Sequence, residues 1–128
     1  MSAVGGNGAI VLVVDDEPAI RLLCRVNLEL EGFDVREAAT LAEARAALEA
    51  EAPAVVLLDM HVGRERGATL LTEIRLRQPR IAVALVTGSV EVEQGVRPSG
   101  ADAVIVKPFT IDELVDTVRA LAGGTSPR

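Results

Sequence analysis

Aromatic residues are almost absent from this chain of 128 residues, which has two phenylalanines and neither tryptophan nor tyrosine. Sites that hold a nucleic-acid base or a flavin by ring stacking depend on such side chains, so we exclude ligands of this kind. Positive charge is also scarce, because 13 basic residues are set against 19 acidic ones and the formal net charge is −6. Proteins that bind nucleic acid directly cluster their positive charge. The composition therefore argues against direct contact with DNA or RNA.

Long hydrophobic runs and cysteine pairs are missing as well. The longest apolar runs, Ala9–Val14 and Ile81–Val86, have six residues, whereas a membrane-spanning helix needs about 20. The single cysteine, Cys24, has no partner for a disulfide within the chain, as is usual in a reducing compartment, and we predict that it packs in the core. Met1–Gly8 has neither the basic region nor the apolar segment of an export signal. We therefore predict a cytoplasmic protein with no membrane segment.

The chain does have the length and composition of one globular domain. Hydrophobic residues make up 49% and charged residues 25% of it, which is ordinary for a soluble fold. A domain of this length buries about two-thirds of the surface that its unfolded chain exposes. We predict a domain over residues 9–122, a flexible leader at 1–8 and a frayed tail at 123–128.

Short apolar runs alternate with helical patterns along the chain. Five runs have the length and the β-branched content of buried strands: Ile10–Val14, Phe33–Ala38, Ala54–Leu58, Ile81–Val86 and Ala103–Val106. Strands that are buried on both faces need not alternate apolar and polar residues. The order of the elements predicts an α/β fold with a doubly wound five-stranded parallel sheet and helices on both faces.

Residue patterns between the strands predict the helices. Thr40 with Glu43, and Thr110 with Glu113, have the spacing of capping boxes, which begin helices. Pro18 suits the first turn of another helix, whose apolar residues follow at helical spacing: Ile20, Leu23, Val26 and Leu30. The arginines around the third helix are predicted to face solvent: Arg64, Arg66, Arg75, Arg77 and Arg80.

The segment between the fourth and fifth strands is predicted to be a weakened fourth helix. Gly95 and Pro98 interrupt Val90–Ser99. In a helix interior glycine costs up to about 1 kcal/mol and proline about 3 kcal/mol. We expect this segment to carry an output signal by becoming ordered or changing shape.

Polar residues stand where the predicted strands end. Asp15 and Asp16 follow the first strand, Asp59 the third, Thr87 the fourth and Lys107, the only lysine, the fifth. Ligands of open α/β sheets bind beyond the carboxyl ends of the strands, so these five side chains are expected to converge. Three carboxylates favour a hard cation such as Mg²⁺, and a carboxylate can also be a nucleophile. With a hydroxyl and an ammonium to meet phosphoryl oxygens, the set predicts phosphoryl transfer.

Four motifs make this prediction more specific. They are Val13–Pro18, Leu57–Met60, Val86–Gly88 and Val106–Phe109. Together, in this order, they resemble the receiver domain of two-component response regulators, over nearly the whole chain from about Ala9 to Leu121. The resemblance implies the flavodoxin-like receiver fold. It also implies a signalling protein rather than an enzyme, with a sensor histidine kinase or a histidine phosphotransfer protein as partner and a downstream target or fused output domain.

The resemblance also implies a role for each site residue. Asp59 would accept the phosphoryl group. Asp16 would bind Mg²⁺ directly, Asp15 mainly through water, Asp59 through its carboxylate and His61 through its backbone carbonyl. The side chain of His61 is expected to face solvent.

Two further residues would respond to the phosphoryl group. The resemblance implies that Thr87 and Lys107 bind its oxygens, and that the peptide bond between Lys107 and Pro108 is cis. The chain departs from the family at Val104, where a switch aromatic is common, and at Gly63, where proline is usual. The 20-residue spacing from Thr87 to Lys107 is slightly short. These departures predict an output that does not depend on a buried aromatic side chain.

Two other functions agree with parts of this pattern. A Mg²⁺-dependent aspartyl-phosphate phosphatase or hydrolase of small substrates would use the same carboxylates, but such enzymes usually place a second acid two residues after the nucleophile, where this chain has His61. A receiver-like module that binds without being phosphorylated would not need all five site residues. Since no output domain is visible in 128 residues, we expect either a single-domain regulator or a piece of a longer protein.

Overall fold

The computed structural model of the protein describes residues 7–88 and 100–123. The strands in this part of the chain are β1 (Ile10–Val14), β2 (Asp34–Ala38), β3 (Val55–Asp59), β4 (His61–Val62), β5 (Glu65–Arg66), β6 (Ala82–Gly88) and β7 (Ala103–Lys107). The helices are α1 (Pro18–Leu30), α2 (Leu41–Ala50), α3 (Gly67–Arg77) and α4 (Ile111–Ala122).

The main sheet has five parallel strands in the order β2-β1-β3-β6-β7. The predicted doubly wound parallel sheet is therefore confirmed, with strand ends that differ from the prediction by one or two residues. The extensions of β6 to Gly88 and of β7 to Lys107 have a consequence for the site. Thr87 and Lys107 lie within the last residues of their strands instead of beyond them, so backbone hydrogen bonds fix their positions.

Each face of the sheet contributes to its own core. Leu12 and Val14 of β1 face a cluster completed by α2 and α3. Val11 and Val13, which alternate with them, face a second cluster completed by α1 and α4. Successive side chains of a strand point to opposite faces, so a strand that is apolar throughout supplies both layers. The prediction that helices cover both faces is confirmed.

The buried face of α1 differs from the predicted one. Cys24 and Leu28 are buried, as predicted for the cysteine. Leu23, Val26 and Leu30, in contrast, are 38%, 47% and 77% exposed. The helix has apolar residues on two neighbouring faces, and only one of these faces can pack against the sheet. The spacing predicts the helix correctly but cannot decide between the two faces.

The capping box predicted at Thr110 is confirmed, whereas only half of the one predicted at Thr40 forms. The hydroxyl of Thr110 accepts a hydrogen bond from the backbone N–H of Glu113, and the Glu113 carboxylate accepts one from the N–H of Thr110. At the start of α2, Thr40 accepts from the Glu43 N–H in the same way, but the Glu43 carboxylate accepts from the N–H of Ala39. Both helices therefore begin where the sequence predicts.

A short antiparallel hairpin after β3 was not predicted. His61 pairs with Arg66 and Val62 with Glu65, which leaves Gly63 and Arg64 as a two-residue turn. Gly63 has a φ of 63°, and a positive φ at the first central position is typical of a hairpin turn with glycine there. Each strand has two residues, too few to show alternation in the sequence.

Some predictions fall on residues that the structure does not describe. The predicted weak helix over Val90–Ser99 lies outside the described residues, as do positions 1–6 of the predicted leader and 124–128 of the predicted tail. Among the residues that are described, no helix is both long and apolar enough to cross a membrane.

Candidate functional site

Three carboxylates meet at the carboxyl ends of β1 and β3. The two strands are neighbours in register, with Val14 beside Leu58, so the residues that follow come to the same edge of the sheet. Asp15, Asp16 and Asp59 each place one carboxylate oxygen within 4.8 Å of the others. The sequence-based prediction that these side chains converge agrees with this geometry.

The three acids differ in their surroundings. Asp15 and Asp59 are only 2% and 8% exposed, whereas Asp16 faces solvent. The Oδ1 atom of Asp15 accepts a hydrogen bond of 2.9 Å from the backbone N–H of Glu17. The Oδ1 atom of Asp59 accepts a longer one, of 3.4 Å, from the backbone N–H of His61. Backbone N–H groups therefore hold the two buried carboxylates, Asp15 and Asp59, while Asp16 lies on the solvent side of the cluster.

Lys107 brings a positive charge to this cluster from β7. Its Nζ lies 3.3 Å from Asp59 Oδ2, 3.6 Å from Asp15 Oδ2 and 3.7 Å from Glu17 Oε1. Burial by itself lowers the pKa of Lys107, but the charges of Asp59 and Asp15 outweigh this effect, and the pKa is raised above its ordinary value. Lys107 is therefore a fixed cation at neutral pH.

One ammonium does not balance the charge of three carboxylates. Burial raises the pKa of Asp15 above its ordinary value; the backbone N–H of Glu17 opposes this, and the charge of Asp59 adds to it. A hard divalent cation relieves such crowding, and Mg²⁺ takes oxygen ligands, commonly one or two carboxylates with water. The donor set, three carboxylates open to solvent at Asp16, fits this ion.

Thr87 and His61 lie beside the acids on neighbouring elements. Thr87 is 4% exposed and follows Val86, the residue of β6 that is paired with Asp59. His61 has its backbone at the site while the residue as a whole is exposed, which agrees with the predicted orientation of its side chain. The peptide bond between Lys107 and Pro108 is cis, as the resemblance implied.

Gly67 is a site residue whose role the sequence analysis missed. Its N–H donates a 2.7 Å hydrogen bond to the carbonyl of Met60. A Cβ atom at this position would come within 2.1 Å of the backbone oxygen of Asp59, closer than any two such atoms can approach. Only glycine therefore lets α3 begin directly against the end of β3. The sequence shows that Gly67 precedes a helix but not what the helix packs against.

A comparison with protein families decides what this site belongs to. The family model described as the response regulator receiver domain matches residues 11–119. The chain belongs to this family. Receiver domains of response regulators are signalling domains. In this receiver domain the five-stranded sheet carries the cluster of acidic residues at one edge.

Curated relatives of this receiver domain are transcriptional regulators by name. It is 34% identical over 123 residues to a probable transcriptional regulatory protein, TcrX, of Mycobacterium tuberculosis, which covers 94% of this chain and 53% of the relative. It is 37% identical over 113 residues to the transcriptional regulatory protein KdpE of the same species, covering 87% of this chain and 50% of the relative. The chain therefore spans about half the length of these relatives.

Solved structures of receiver domains share the fold. The receiver domain of NtrX from Brucella abortus superposes with a TM-score of 0.82 at 33% identity, covering 90% of this chain and 99% of that one. A response regulator receiver domain protein from Clostridium thermocellum gives a TM-score of 0.82 at 27% identity, covering 91% of this chain and 95% of that one. The predicted flavodoxin-like receiver fold is confirmed.

Proposed function

We propose that this receiver domain accepts a phosphoryl group on Asp59 from a phosphohistidine of a sensor histidine kinase or a histidine phosphotransfer protein. A carboxylate oxygen of Asp59 attacks the phosphorus, and the P–O bond forms as the P–N bond breaks. The imidazole leaves and takes up a proton from water. The product is an aspartyl phosphate, a covalent intermediate of the kind that carboxylate nucleophiles form.

The residues around Asp59 have complementary parts in this reaction. We assign the metal position to Asp16, Asp59 and the backbone carbonyl of His61, with Asp15 acting through water. The chemistry that a bound Mg²⁺ would supply there is to offset the negative charge of the carboxylates and of the phosphoryl oxygens. Lys107 supplies a second positive charge, already 3.3 Å from Asp59 Oδ2, for the transferred oxygens.

Thr87 completes the set of donors and connects the site to the output. Its hydroxyl is placed on β6 next to the residue paired with Asp59, and we assign it a hydrogen bond to one phosphoryl oxygen. Because a charge-assisted hydrogen bond is stronger than a neutral one, phosphorylation would draw Thr87 and Lys107 toward Asp59. Their displacement would transmit the signal to a downstream protein or an output domain. We propose that residues 9–122 form the functional unit and that it works in the cytoplasm.

One observation carries this proposal: two further carboxylates, those of Asp15 and Asp16, and one lysine ammonium converge on Asp59 at the end of a buried strand. The test is the intact mass of the protein after incubation with Mg²⁺ and acetyl phosphate. We expect the wild type to gain one phosphoryl group and Asp59→Asn to gain none. Asp116→Asn is a matched control, since Asp116 is exposed on α4, and it should react like the wild type. Equal uptake by Asp59→Asn would show that another residue is the acceptor.

The metal has its own test. Replacing both Asp15 and Asp16 with asparagine removes the carboxylates that attract the cation, so Mg²⁺ affinity measured by calorimetry should fall by at least an order of magnitude. Unchanged affinity would place the metal elsewhere. Repeated release of phosphate from acetyl phosphate, many turnovers for each protein molecule, would instead favour a hydrolase.

A further inference from the structure

The backbone N–H, the backbone carbonyl and the Oδ1 atom of Asp15 all form hydrogen bonds, and the carbonyl bonds to a side chain outside the acidic cluster. Its backbone N–H donates to the carbonyl of Ala38 at 3.1 Å. Its carbonyl accepts a hydrogen bond of 2.7 Å from Nη1 of Arg21 on α1. The second of these contacts involves an arginine that no part of the proposed reaction uses.

Arg21 is itself held from the other side. Its Nε donates to Glu37 Oε1 on β2 at 3.0 Å, and the Arg21 side chain is only 16% exposed. Glu37 in turn accepts a 2.5 Å hydrogen bond from Nε of Arg25. A planar guanidinium bonded at two of its nitrogens cannot rotate freely. The carboxylate of Glu37 therefore fixes the direction in which Arg21 points.

We infer that Arg21 is a positioning residue for the metal site, acting through the peptide that joins Asp15 to Asp16. The carbonyl of Asp15 and the N–H of Asp16 belong to one planar unit, so a donor that fixes the carbonyl also fixes the direction in which the chain enters Asp16. Asp16 is the exposed member of the three acids and depends on its backbone for its place. The inference rests on the proposed function of this edge as a Mg²⁺ site.

Charge and geometry predict opposite effects for the loss of Arg21. Removing a positive charge near a cation site favours Mg²⁺ through simple electrostatics. Removing a residue that orients a ligand weakens metal binding, typically by 10- to 100-fold. The sign of the change in affinity therefore distinguishes a positioning residue from a distant charge.

Arg25 offers a matched control. It also contacts Glu37 and carries the same charge, but its other described partner is Glu29 and not the backbone of Asp15. Mg²⁺ affinity is measured by calorimetry for the wild type, Arg21→Gln and Arg25→Gln, with the thermal unfolding temperature of each. We expect roughly tenfold weaker Mg²⁺ binding for Arg21→Gln and unchanged or slightly tighter binding for Arg25→Gln.

The outcomes separate this inference from the proposed function. If the wild type does not bind Mg²⁺, the proposed metal site is wrong. If the wild type binds and the two variants have equal affinity, only the role of Arg21 is wrong. Should Arg21→Gln fail to fold, Arg21→Lys decides, since it keeps the charge but has one nitrogen for two acceptors. We expect it to bind Mg²⁺ several-fold more weakly than the wild type, and wild-type affinity would overturn the inference.

Discussion

Lys107 Nζ lies 3.3 Å from Asp59 Oδ2, and the same atom lies 3.6 Å from Asp15 Oδ2. A single cation from β7 thus joins the ends of β3 and β1. It offsets part of the repulsion between these two buried carboxylates. The proposed Mg²⁺ would bind beside the same carboxylates, so the lysine and the ion would offset the same negative charge.

Replacing Lys107 with methionine should therefore have two opposite effects. The free energy of unfolding without metal should fall by about 1–3 kcal/mol, because Asp15 and Asp59 lose a partner while remaining buried. Mg²⁺ should bind more tightly, because no competing cation remains. Urea unfolding with and without Mg²⁺ measures both effects. Arg77→Met, at an exposed position of α3, should change neither by much, and weaker Mg²⁺ binding by Lys107→Met would contradict this account.

Gly67→Ala should disturb Asp59, the proposed phosphoacceptor, through the backbone. The added methyl would lie 2.1 Å from the carbonyl oxygen of Asp59, so α3 or the end of β3 must shift, and overpacking of this kind costs about 1–3 kcal/mol. Phosphorylation by acetyl phosphate should slow as well. Gly63→Asn is the control, since nothing lies within 4 Å of a Cβ there and asparagine tolerates a positive φ. Equal stability of the two variants would refute the close approach.

Arg75 differs from the prediction that it faces solvent. Its guanidinium donates to the carbonyls of Gly100 and Ile81, at 2.6 and 2.7 Å, and to Asp102 Oδ2 at 2.5 Å. The same Asp102 oxygen accepts a hydrogen bond from the N–H of Val83. Arg75 therefore ties α3 to the beginnings of β6 and β7.

We expect Arg75→Gln to lower the free energy of unfolding by about 1–3 kcal/mol, because it leaves partly buried acceptors unpaired. Arg77→Gln, two residues away and exposed, should stay within about 0.5 kcal/mol of the wild type. Urea unfolding of both variants provides the comparison. If Arg75→Gln lowered the free energy of unfolding no more than Arg77→Gln does, the hydrogen bonds of Arg75 would contribute nothing to stability.

Cys24 should be unreactive in the folded protein. Burial raises the pKa of its thiol to about 12, with a smaller contribution from the charge of Asp15. Thiol reagents attack the thiolate, so at pH 8 the native protein should react far more slowly than the protein unfolded in urea. The reaction followed by absorbance with a disulfide reagent gives both rates, and equal rates would show that the thiol is open to solvent.

The features that can be predicted from the sequence are those formed by residues close to one another along the chain. Apolar runs and capping boxes are local patterns, and they locate the sheet strands and helices to within one or two residues. The acidic edge is predicted because parallel strands end on the same side. The close approach at Gly67 depends on the backbone of Asp59, and the contacts of Arg21 and Arg75 join different elements. Such partners become visible only when the elements are packed together.

The strands that carry the site are not equally supported. In the sheet that the structure describes, β1 and β3 each have a hydrogen-bonded neighbour on both sides, whereas β7 is bonded to β6 alone. Segments with fewer such bonds open at a lower free energy. Asp15 and Asp59 are therefore attached to well-supported central strands, whereas Lys107 belongs to a strand that deforms more easily. Added negative charge on Asp59 should move Lys107 and leave the carboxylates in place. Only Pro108–Thr110 separate Lys107 from α4, which makes this helix the first element to follow that motion.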